Sequence, residues 1–216
     1  MGSSISVIIP AYNEETRIAA TIESLKPYAA EIIVIDDASS DNTASVAEVA
    51  GAIVYKNERN LGHLETIKKG FGLVNNEIIV TFDADGEFPA DSIPTLVAPI
   101  ERGEADMVQA NRDFYPRPSE KLLNWMANLA GPVGDTGTGL RAIKKSLAER
   151  LELKGNCICG IFGLEVLYHG GRIAEVPVGL LEIDKSRRIV WHHFSQFFHI
   201  LKWIIKYRRR VNKSTV

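Results

Sequence analysis

The sequence predicts an α/β fold in which a mostly parallel β-sheet is covered by helices on both faces. Short runs rich in β-branched residues alternate with stretches of helical periodicity through the first half of the chain. The predicted strands are almost entirely apolar, as strands buried on both faces are. The chain has 216 residues, 45% hydrophobic and 24% charged, which suits one globular domain with a substantial core.

The predicted elements of the first half follow one another in regular order. The strands are ISVIIP (5–10), EIIVID (31–36), AIVYK (52–56) and EIIVTF (77–82). The helices are NEETRIAATIESLKPYA (13–29), DNTASVAEVAG (41–51) and LGHLETIKKGFGLV (61–74). In the first helix, Ile18, Ile22 and Leu25 recur at helical spacing. Because the carboxyl ends of parallel strands meet at one edge of a sheet, we expect binding residues directly after these strands.

The second half of the chain is less periodic. It contains no internal repeat, low-complexity tract or long linker. The predicted helices are SEKLLNWMANLAG (119–131), KKSLAERL (144–151) and GIFGLEVLYHGG (160–171), and the predicted extended segments are GTGLRAI (137–143) and RIAEVPVGLLEI (172–183).

Basic and acidic residues are distributed unevenly along the chain. From Lys185 onward there are nine Lys and Arg residues and no Asp or Glu, which leaves 16 basic and 27 acidic residues upstream. We therefore expect a globular domain over residues 1–184 and a basic tail over residues 185–216, each with different partners. Because the rest of the chain is acidic, nucleic-acid binding is not expected.

The tail has the pattern of an amphipathic helix, with His192, Ser195, His199, Lys202 and Lys206 on its polar stripe. An aromatic-rich apolar face beside a basic one is typical of a helix that lies in a membrane interface. Packing on the domain, or on a second copy in a homo-oligomer, would bury the same face. These interpretations stay open, because periodicity does not show what covers an apolar face. The apolar stripe consists of Trp191, Phe194, Phe198, Leu201 and Ile205.

Several classes of protein are excluded by what the sequence lacks. Cys157 and Cys159 are two residues apart, a poor spacing for a disulfide and too few ligands for structural zinc, which favours a reducing setting. No apolar run reaches about twenty residues and no signal peptide is recognisable, so we expect a soluble or peripheral protein. The absence of a P-loop and of a dinucleotide-binding turn argues against both kinds of nucleotide site.

Acidic side chains cluster where predicted strands end. Asp83, Asp85 and Glu87 come directly after one strand, and Asp36 and Asp37 end another. One such junction is explained by a helix cap, whereas several at one sheet edge favour a binding site. Carboxylates this close repel one another unless a cation compensates them, and Mg²⁺ and Mn²⁺ prefer oxygen ligands. The sequence therefore predicts a divalent cation site that can hold a diphosphate.

Four motifs, in order and spacing, resemble those of the family 2 glycosyltransferases. They are VIIPAYNEE (7–15), IVIDDASSDNT (33–43), NLG (60–62) and FDAD (82–85). The likeness runs from about residue 5 to residue 178 and is greatest to the branch of dolichyl-phosphate mannosyltransferases and polyprenyl-phosphate sugar transferases. The resemblance implies a GT-A fold for residues 1–184, with a C-terminal amphipathic helix after it.

The resemblance also implies a donor site. It assigns Asp83 and Asp85, with Ala84 between them, to the DxD motif that binds the diphosphate sugar and a Mg²⁺ or Mn²⁺ ion. Glu87 stands where this branch commonly has Gln and is a third candidate ligand of the cation. The contacts to the nucleotide base and ribose would come from Pro10, Tyr12, Glu14, Ile35 and Asp37.

Two later segments carry the catalytic candidates. QANRDF (109–114) resembles a Gly-Ser-Arg segment of the family, which puts Arg112 near phosphates. GDTGTGLRAIKK (134–145) resembles an Asp-Pro-Thr-Ser-Gly-Phe-Arg segment, with Thr136 in place of the proline. Arg141 is then a phosphate-binding candidate, because guanidinium binds phosphate bidentately. Asp135 would be the general base for a hydroxyl acceptor, or would orient groups if the acceptor is a phosphate.

The implied function is an inverting, metal-dependent transfer of a sugar from a nucleotide-diphosphate sugar of the GDP-mannose or UDP-glucose type. The expected acceptor is a polyprenyl or dolichyl phosphate or another membrane-associated molecule, and the expected location is the cytoplasmic, inner face of the cell membrane. The segment EIDKSRR (182–188) departs from the branch and offers only Lys185, Arg187 and Arg188 as acceptor contacts. A soluble hydroxyl acceptor, a nucleotide-sugar pyrophosphorylase and a non-catalytic nucleotide-sugar-binding relative are the alternatives.

Overall fold

The computed structural model describes residues 4–112, 118–154, 158–181 and 192–214. Seven strands form one sheet in the order β3-β2-β1-β4-β6-β5-β7. The strands are β1 (Ile5–Ala11), β2 (Glu31–Asp36), β3 (Ile53–Lys56), β4 (Ile78–Thr81), β5 (Met107–Asn111), β6 (Arg141–Lys144) and β7 (Ile173–Pro177).

The sheet is mostly parallel, which confirms the predicted fold class. β1 pairs in parallel with β2 and β4, β2 with β3, and β5 with β7. β6 runs antiparallel to both of its neighbours, β4 and β5. As a result, the amino end of β6 lies at the same sheet edge as the carboxyl ends of β1, β2 and β4, and the segment just before β6 joins the site built there.

Helices cover both faces of the sheet. They are α1 (Ile18–Leu25), α2 (Thr43–Val49), α3 (His63–Phe71), α4 (Ile93–Glu101), α5 (Pro118–Asn128), α6 (Lys145–Ala148), α7 (Ile161–Tyr168) and α8 (His192–Ser214). Alternate residues of β1 face opposite layers: Val7 and Ile9 pack into the hydrophobic cluster that includes α1 and α4 residues, and Ile8 into the one that includes α3, α7 and α8 residues. Gly70 of α3 allows close packing on the sheet, because a Cβ there would lie 2.7 Å from Ile8.

Four elements differ from the sequence prediction. α1 begins at Ile18 rather than near residue 13, because the preceding residues form turns in which the Glu14 carbonyl accepts the N–H groups of Arg17 and Ile18. The predicted helix 144–151 shrinks to the four residues of α6. α4 and β5 were not predicted. Pro99 inside α4 obscures the helical pattern.

α8 packs on the domain through a face other than the predicted apolar stripe. Ile200, Trp203 and Ile204 are buried against α5 and α7. The predicted stripe residues Phe198, Leu201 and Ile205 remain exposed, while those at 191 and 194 lie outside the described side chains. Among the helices of the described segments, none combines the length and apolar character that a membrane crossing requires.

Candidate active site

The sheet edge formed by the carboxyl ends of β1, β2 and β4 brings the two predicted acidic junctions, after β2 and after β4, beside the end of β1. Ala11 is paired with Asp36, and the Asp37 N–H donates to the Ala11 carbonyl at 2.8 Å. On the other side of β1, the Phe82 N–H donates to the Ile8 carbonyl at 3.0 Å, which starts the acidic segment beside the same edge. Sheet register therefore places the ends of these strands next to one another.

A cleft of about 200 Å³ opens at this edge. Its walls include three of the predicted nucleotide contacts, Pro10, Tyr12 and Asp37, and the Tyr12 side chain is 50% exposed. An exposed ring beside a polar wall suits stacking on a nucleobase. The remaining lining residues are Ala11, Asn60, Gly62, His63 and Thr66.

Two predicted nucleotide contacts do not line this cleft. The Ile35 side chain is completely buried in the core with Leu64 and Ile67. The Glu14 N–H donates to the Thr43 hydroxyl at 2.8 Å, and its carboxylate pairs with Arg17 at 3.3 Å. Both residues support the loops around the cleft.

Asp37 fixes the NLG segment in position. Its Oδ1 accepts the Asn57 side-chain amide at 2.7 Å and the Leu61 N–H at 2.8 Å, and its Oδ2 accepts the Gly62 N–H at 2.8 Å. Burial alone would raise the pKa of this carboxyl, but these hydrogen bonds outweigh it and lower the pKa below its ordinary value. Gly62 has φ +86°, a left-handed conformation that places His63 at the start of α3 and in the cleft.

The acidic segment after β4 is not a three-carboxylate cluster. Asp83 lies on the cleft side, with His63 Nε2 3.9 Å from its Oδ1. Asp85 is buried, accepts the Glu87 N–H at 3.1 Å, and lines a neighbouring pocket of about 400 Å³ with Arg17. Over the described ranges, no three His, Cys, Asp or Glu side chains are grouped closely enough to hold a metal ion. The three predicted carboxylate ligands are therefore not grouped closely enough in the described residues to form a three-carboxylate metal site.

Asp135 and Arg112 form a buried, bidentate ion pair. Arg112 Nε donates to Asp135 Oδ2 at 2.7 Å and its Nη2 to Oδ1 at 3.0 Å. The Arg112 and Gly137 N–H groups donate to the same carboxylate at 3.2 and 3.1 Å. Burial by itself would lower the pKa of Arg112, but the hydrogen bonds and charge of Asp135, with the charge of Glu120, raise it. The pair fixes the loop before β6.

Arg141 is completely buried at the amino end of β6. Its Nη2 donates to the Thr136 carbonyl at 2.9 Å, and its guanidinium lies 5.1 Å from the centroid of the Phe162 ring. Within the described part of the chain, its Nε and Nη1 have no hydrogen-bond acceptor. Burial lowers the pKa of Arg141 to about 10, so the group is still a cation near neutral pH. Buried N–H groups without an acceptor are costly, and a phosphate would satisfy them.

Gly139 brings this loop against the acidic segment. A Cβ at this position would lie 1.8 Å from Asp83 Oδ2, so only glycine leaves room for the carboxylate. The Thr81 hydroxyl also donates to the Gly139 carbonyl at 2.8 Å, which joins β4 to the loop. The backbone at Gly139 therefore lies directly against the Asp83 carboxylate.

Several residues that hold this loop were missed by sequence reasoning. Glu175 of β7 accepts the Asp135 N–H at 2.5 Å, and Asn124 of α5 accepts the Thr136 N–H at 2.9 Å. Asn128 binds both the N–H and the carbonyl of Gly134 at 3.0 Å. No local pattern marks these residues, because each meets the loop only through the sheet order and the packing of α5.

Some predicted residues fall outside the described ranges. They are Lys185, Arg187 and Arg188, together with Cys157. Cys159 is described, is buried and forms no disulfide with another described residue.

The comparison with known proteins follows the same motifs. A family model described as glycosyl transferase family 2 matches residues 6–156. The undecaprenyl-phosphate 4-deoxy-4-formamido-L-arabinose transferase of Serratia proteamaculans (strain 568) is 34% identical over 68% of this chain and 51% of its own length. The protein of the same name from Proteus mirabilis (strain HI4320) is 33% identical over 69% of this chain and 51% of its own. The chain thus spans about half the length of these curated relatives.

Solved structures have the same fold. The glucosyl-3-phosphoglycerate synthase of M. tuberculosis superimposes with a TM-score of 0.75 at 24% identity, over 95% of this chain and 81% of that one. A structure of that synthase with Mn²⁺ and UDP-glucose gives a TM-score of 0.68 at 25% identity, over 86% and 73%. With strand order, motif positions and the match to residues 6–156 all in agreement, the chain belongs to glycosyl transferase family 2.

Proposed function

We propose that this chain is an inverting glycosyltransferase that moves a sugar from a nucleotide-diphosphate sugar to a polyprenyl phosphate at a membrane surface. The observation that carries the proposal is Arg141, a buried cation whose Nε and Nη1 have no acceptor among the described residues. A protein gains nothing in stability from such a group, whereas a phosphate-handling site needs it. Family membership and the relatives named for undecaprenyl-phosphate sugar transfer support the same conclusion.

The nucleotide would lie in the cleft beside Tyr12, with its diphosphate directed toward Asp83. Asp83 lies beside Gly139 and His63. Because Gly139 has no side chain, there is room for the Asp83 carboxylate. Charge attraction between the diphosphate and Arg141 would orient the donor between the cleft and Asp83. The donor is of the UDP- or GDP-sugar type.

A Mg²⁺ or Mn²⁺ ion fits this arrangement as a ligand shared between protein and donor. Asp83 and Asp85 would supply hard oxygen ligands, and diphosphate oxygens and water would complete the shell, as these cations usually require. When bound, the ion would neutralise negative charge that develops on the departing nucleoside diphosphate. Glu87 contributes no third ligand in this proposal, since the three carboxylates are not grouped.

The geometry of Asp135 favours a phosphate acceptor over a hydroxyl acceptor. Its two oxygens accept hydrogen bonds from Arg112 N, Nε and Nη2 and from the Gly137 N–H. A carboxylate offers about four lone-pair sites, so little capacity remains to remove a proton. A lipid phosphate has a second pKa of roughly 6 and is already ionised near neutral pH, so it needs no general base. We therefore propose that Asp135 positions Arg112 and the 135–139 loop.

The surface of α5 and α8 suits contact with a membrane that carries the acceptor. α5 exposes Leu122 and Trp125, Leu129 is exposed just after the end of α5, and Trp125 is 61% exposed. Arg208 of α8 donates to the Leu129 carbonyl at 3.2 Å, which places the exposed stripe of α8 beside that of α5. The α8 stripe consists of Phe197, Phe198, Leu201 and Ile205. With the basic residues around it, this surface would face the anionic cytoplasmic leaflet.

The test is transfer of radiolabelled sugar from UDP- and GDP-sugars to undecaprenyl phosphate in detergent, with Mn²⁺ or EDTA. We expect product with one nucleotide sugar, its loss with EDTA, and its loss in Asp83→Asn. Asp91→Asn, an exposed carboxylate just beyond the acidic segment, is the matched control and should remain active. If the folded protein bound a nucleotide but used no lipid phosphate as acceptor, the proposed acceptor would be wrong. If it bound no nucleotide, the whole proposal would be wrong.

A further inference from the structure

A basic groove lies between α7 and α8, away from the donor cleft. It has a volume of about 630 Å³ and is lined by Tyr168, Lys202, Ile205, Lys206, Arg209 and Arg210. Four of these six residues are cations. Tyr168 is the last residue of α7, whereas Phe162 near the first turn of the same helix lies under Arg141. The groove is therefore about 9 Å farther along the α7 axis than the catalytic arginine.

The floor of the groove is aromatic and orders its cations. The rings of Tyr168 and Trp203 meet edge to face, with centroids 5.6 Å apart. Lys206 Nζ lies 4.4 Å from the Tyr168 centroid and 4.1 Å from that of Trp203, and Arg210 Cζ lies 4.7 Å from Tyr168. Stacking on a ring holds an ammonium in place and leaves its N–H donors available to an anion.

Three of the four cations of the groove form no salt bridge with a carboxylate of the described segments, while the charges of Glu152 and Glu165 reach Lys206. No ion pair joins Lys202, Lys206 or Arg209 to a described carboxylate. Glu152, whose charge also reaches Lys206, is paired with Lys154 at 2.8 Å. The pKa of the adjacent His169 is lowered, first by burial and then by the positive charges of Arg150, Arg210 and Lys206.

We propose that this groove is a second phosphate-binding site, separate from the donor cleft and from Arg141, that takes a phosphate group of a lipid headgroup or of a soluble phosphate. The position of Ile205 favours the lipid source. Ile205 lines the groove and also belongs to the exposed apolar stripe with Leu201 and Phe198, so a phosphate in the groove would have its acyl chains beside that stripe. This inference does not depend on the chemistry proposed for the catalytic site.

The experiment uses two ligands and three variants of the full chain. The ligands are inorganic pyrophosphate, followed by calorimetry, and phosphatidylcholine vesicles with or without phosphatidylglycerol, followed by flotation. The groove variant is Lys202→Gln with Lys206→Gln. The charge-matched control is Lys26→Gln with Lys56→Gln, two exposed lysines, the second of which ends β3 at the opposite edge of the sheet. Tyr168→Leu removes part of the aromatic floor without changing charge.

We expect the groove variant to bind phosphatidylglycerol vesicles about 30-fold more weakly than the control does. Tyr168→Leu should also weaken binding, which a diffuse positive field would not explain. Loss of pyrophosphate binding with vesicle binding unchanged would assign the site to a soluble phosphate. Equal binding by the groove and control variants in both assays would overturn the proposal. Binding of UDP or GDP in the same variants, with their melting temperatures, reports separately on the donor site and on folding.

Discussion

The buried arginines of the site differ in whether other groups of the protein pair with their charge and accept their hydrogen bonds. Arg112 is paired bidentately with Asp135, while Arg141, equally sequestered, has a single hydrogen bond to the Thr136 carbonyl. An ion pair of this kind stabilises a loop, because removal of either partner leaves a buried charge. An arginine without a carboxylate partner has no such structural role, and this difference separates a positioning residue from one available to substrate.

Replacement of Arg141 tests that distinction. In Arg141→Met the side chain keeps its length but loses its charge, so the cost of burying a cation disappears along with one hydrogen bond. We expect the melting temperature to stay within about 3 °C of the wild type. The same change should lower kcat by about 10²–10³-fold, the usual effect of removing one preorganised donor. The kcat of Arg141→Lys should lie between those of the wild type and Arg141→Met. A large loss of thermal stability with kcat preserved would show that Arg141 is structural.

Gly139 gives a second prediction at this scale. In Gly139→Ala the new Cβ would lie 1.8 Å from Asp83 Oδ2, so the carboxylate must move away. We expect Mn²⁺-dependent binding of UDP or GDP to weaken at least about tenfold, while binding without Mn²⁺ changes little. Gly179→Ala is the control, since a Cβ there meets nothing within 4 Å. Calorimetry measures nucleotide binding by both variants with and without Mn²⁺. If nucleotide binding depended on Mn²⁺ equally in the two variants, the role given to Asp83 would be contradicted.

Sequence reasoning found the residues of this site better than it found their partners. The positions of Asp37 and Asp83 at one edge of the sheet could be inferred from their place after strands, because parallel strands bring such residues together. The bidentate pair of Arg112 and Asp135 joins residues 23 positions apart. No spacing rule relates them, and the same is true of Glu175, which reaches the loop only because β7 pairs with β5.

At the scale of elements, the second half of the sheet is held together away from the catalytic edge. Asp106, just before β5, accepts Lys144 Nζ at 2.7 Å and Arg172 Nε at 3.0 Å, and so connects the end of β6 with the start of β7. These contacts fix the one antiparallel strand among its neighbours. Because β6 begins at Arg141, its register determines where that arginine lies. The sequence predicted β6 and β7 as extended segments, but the direction of β6 depends on such long-range contacts.

The Asp106 cluster makes stability depend on pH in a defined way. Hydrogen bonds from Arg172 first, then Lys144, hold the pKa of Asp106 well below its ordinary value. The stabilisation is therefore fully present above the unfolded-state pKa, near 3.9, and is lost only as pH falls below it. Asp106→Asn should cost about 1–2 kcal/mol, or roughly 4 °C in melting temperature. The difference should be the same at pH 7 and at pH 5.5.

Glu104→Gln is the matched control for that measurement. Its carboxylate is exposed and pairs with Arg102 at 2.8 Å, so no change in melting temperature is expected. If Asp106→Asn behaved like this control, the cluster would contribute nothing to the sheet and another contact would have to fix β6.

The whole molecule carries an acidic sheet edge, where we propose that the donor binds, and a helix face that is both basic and apolar. One face of α8 packs on α5 and α7, which is one of the interpretations left open for the tail. A second apolar face of α8 remains exposed. The sequence could not distinguish these faces, because both α8 stripes are apolar and only the position of α7 decides which is covered. An exposed surface of this kind usually marks contact with a membrane or another protein.

The last prediction concerns this surface as a unit. Trp125→Glu with Leu201→Glu places charge on both helices without touching the buried face, so the melting temperature should not change by more than a few degrees. If the surface inserts into lipid, vesicle binding should fall by at least about tenfold, because each large apolar side chain contributes roughly 1.5–3 kcal/mol when fully buried. Val49→Glu, at a position 90% exposed on α2, is the control and should bind as the wild type does. If all variants bound vesicles equally but the double variant alone changed a dimer into a monomer in light scattering, the surface would be an interface between copies of this chain, and the membrane contact proposed for α5 and α8 would be wrong.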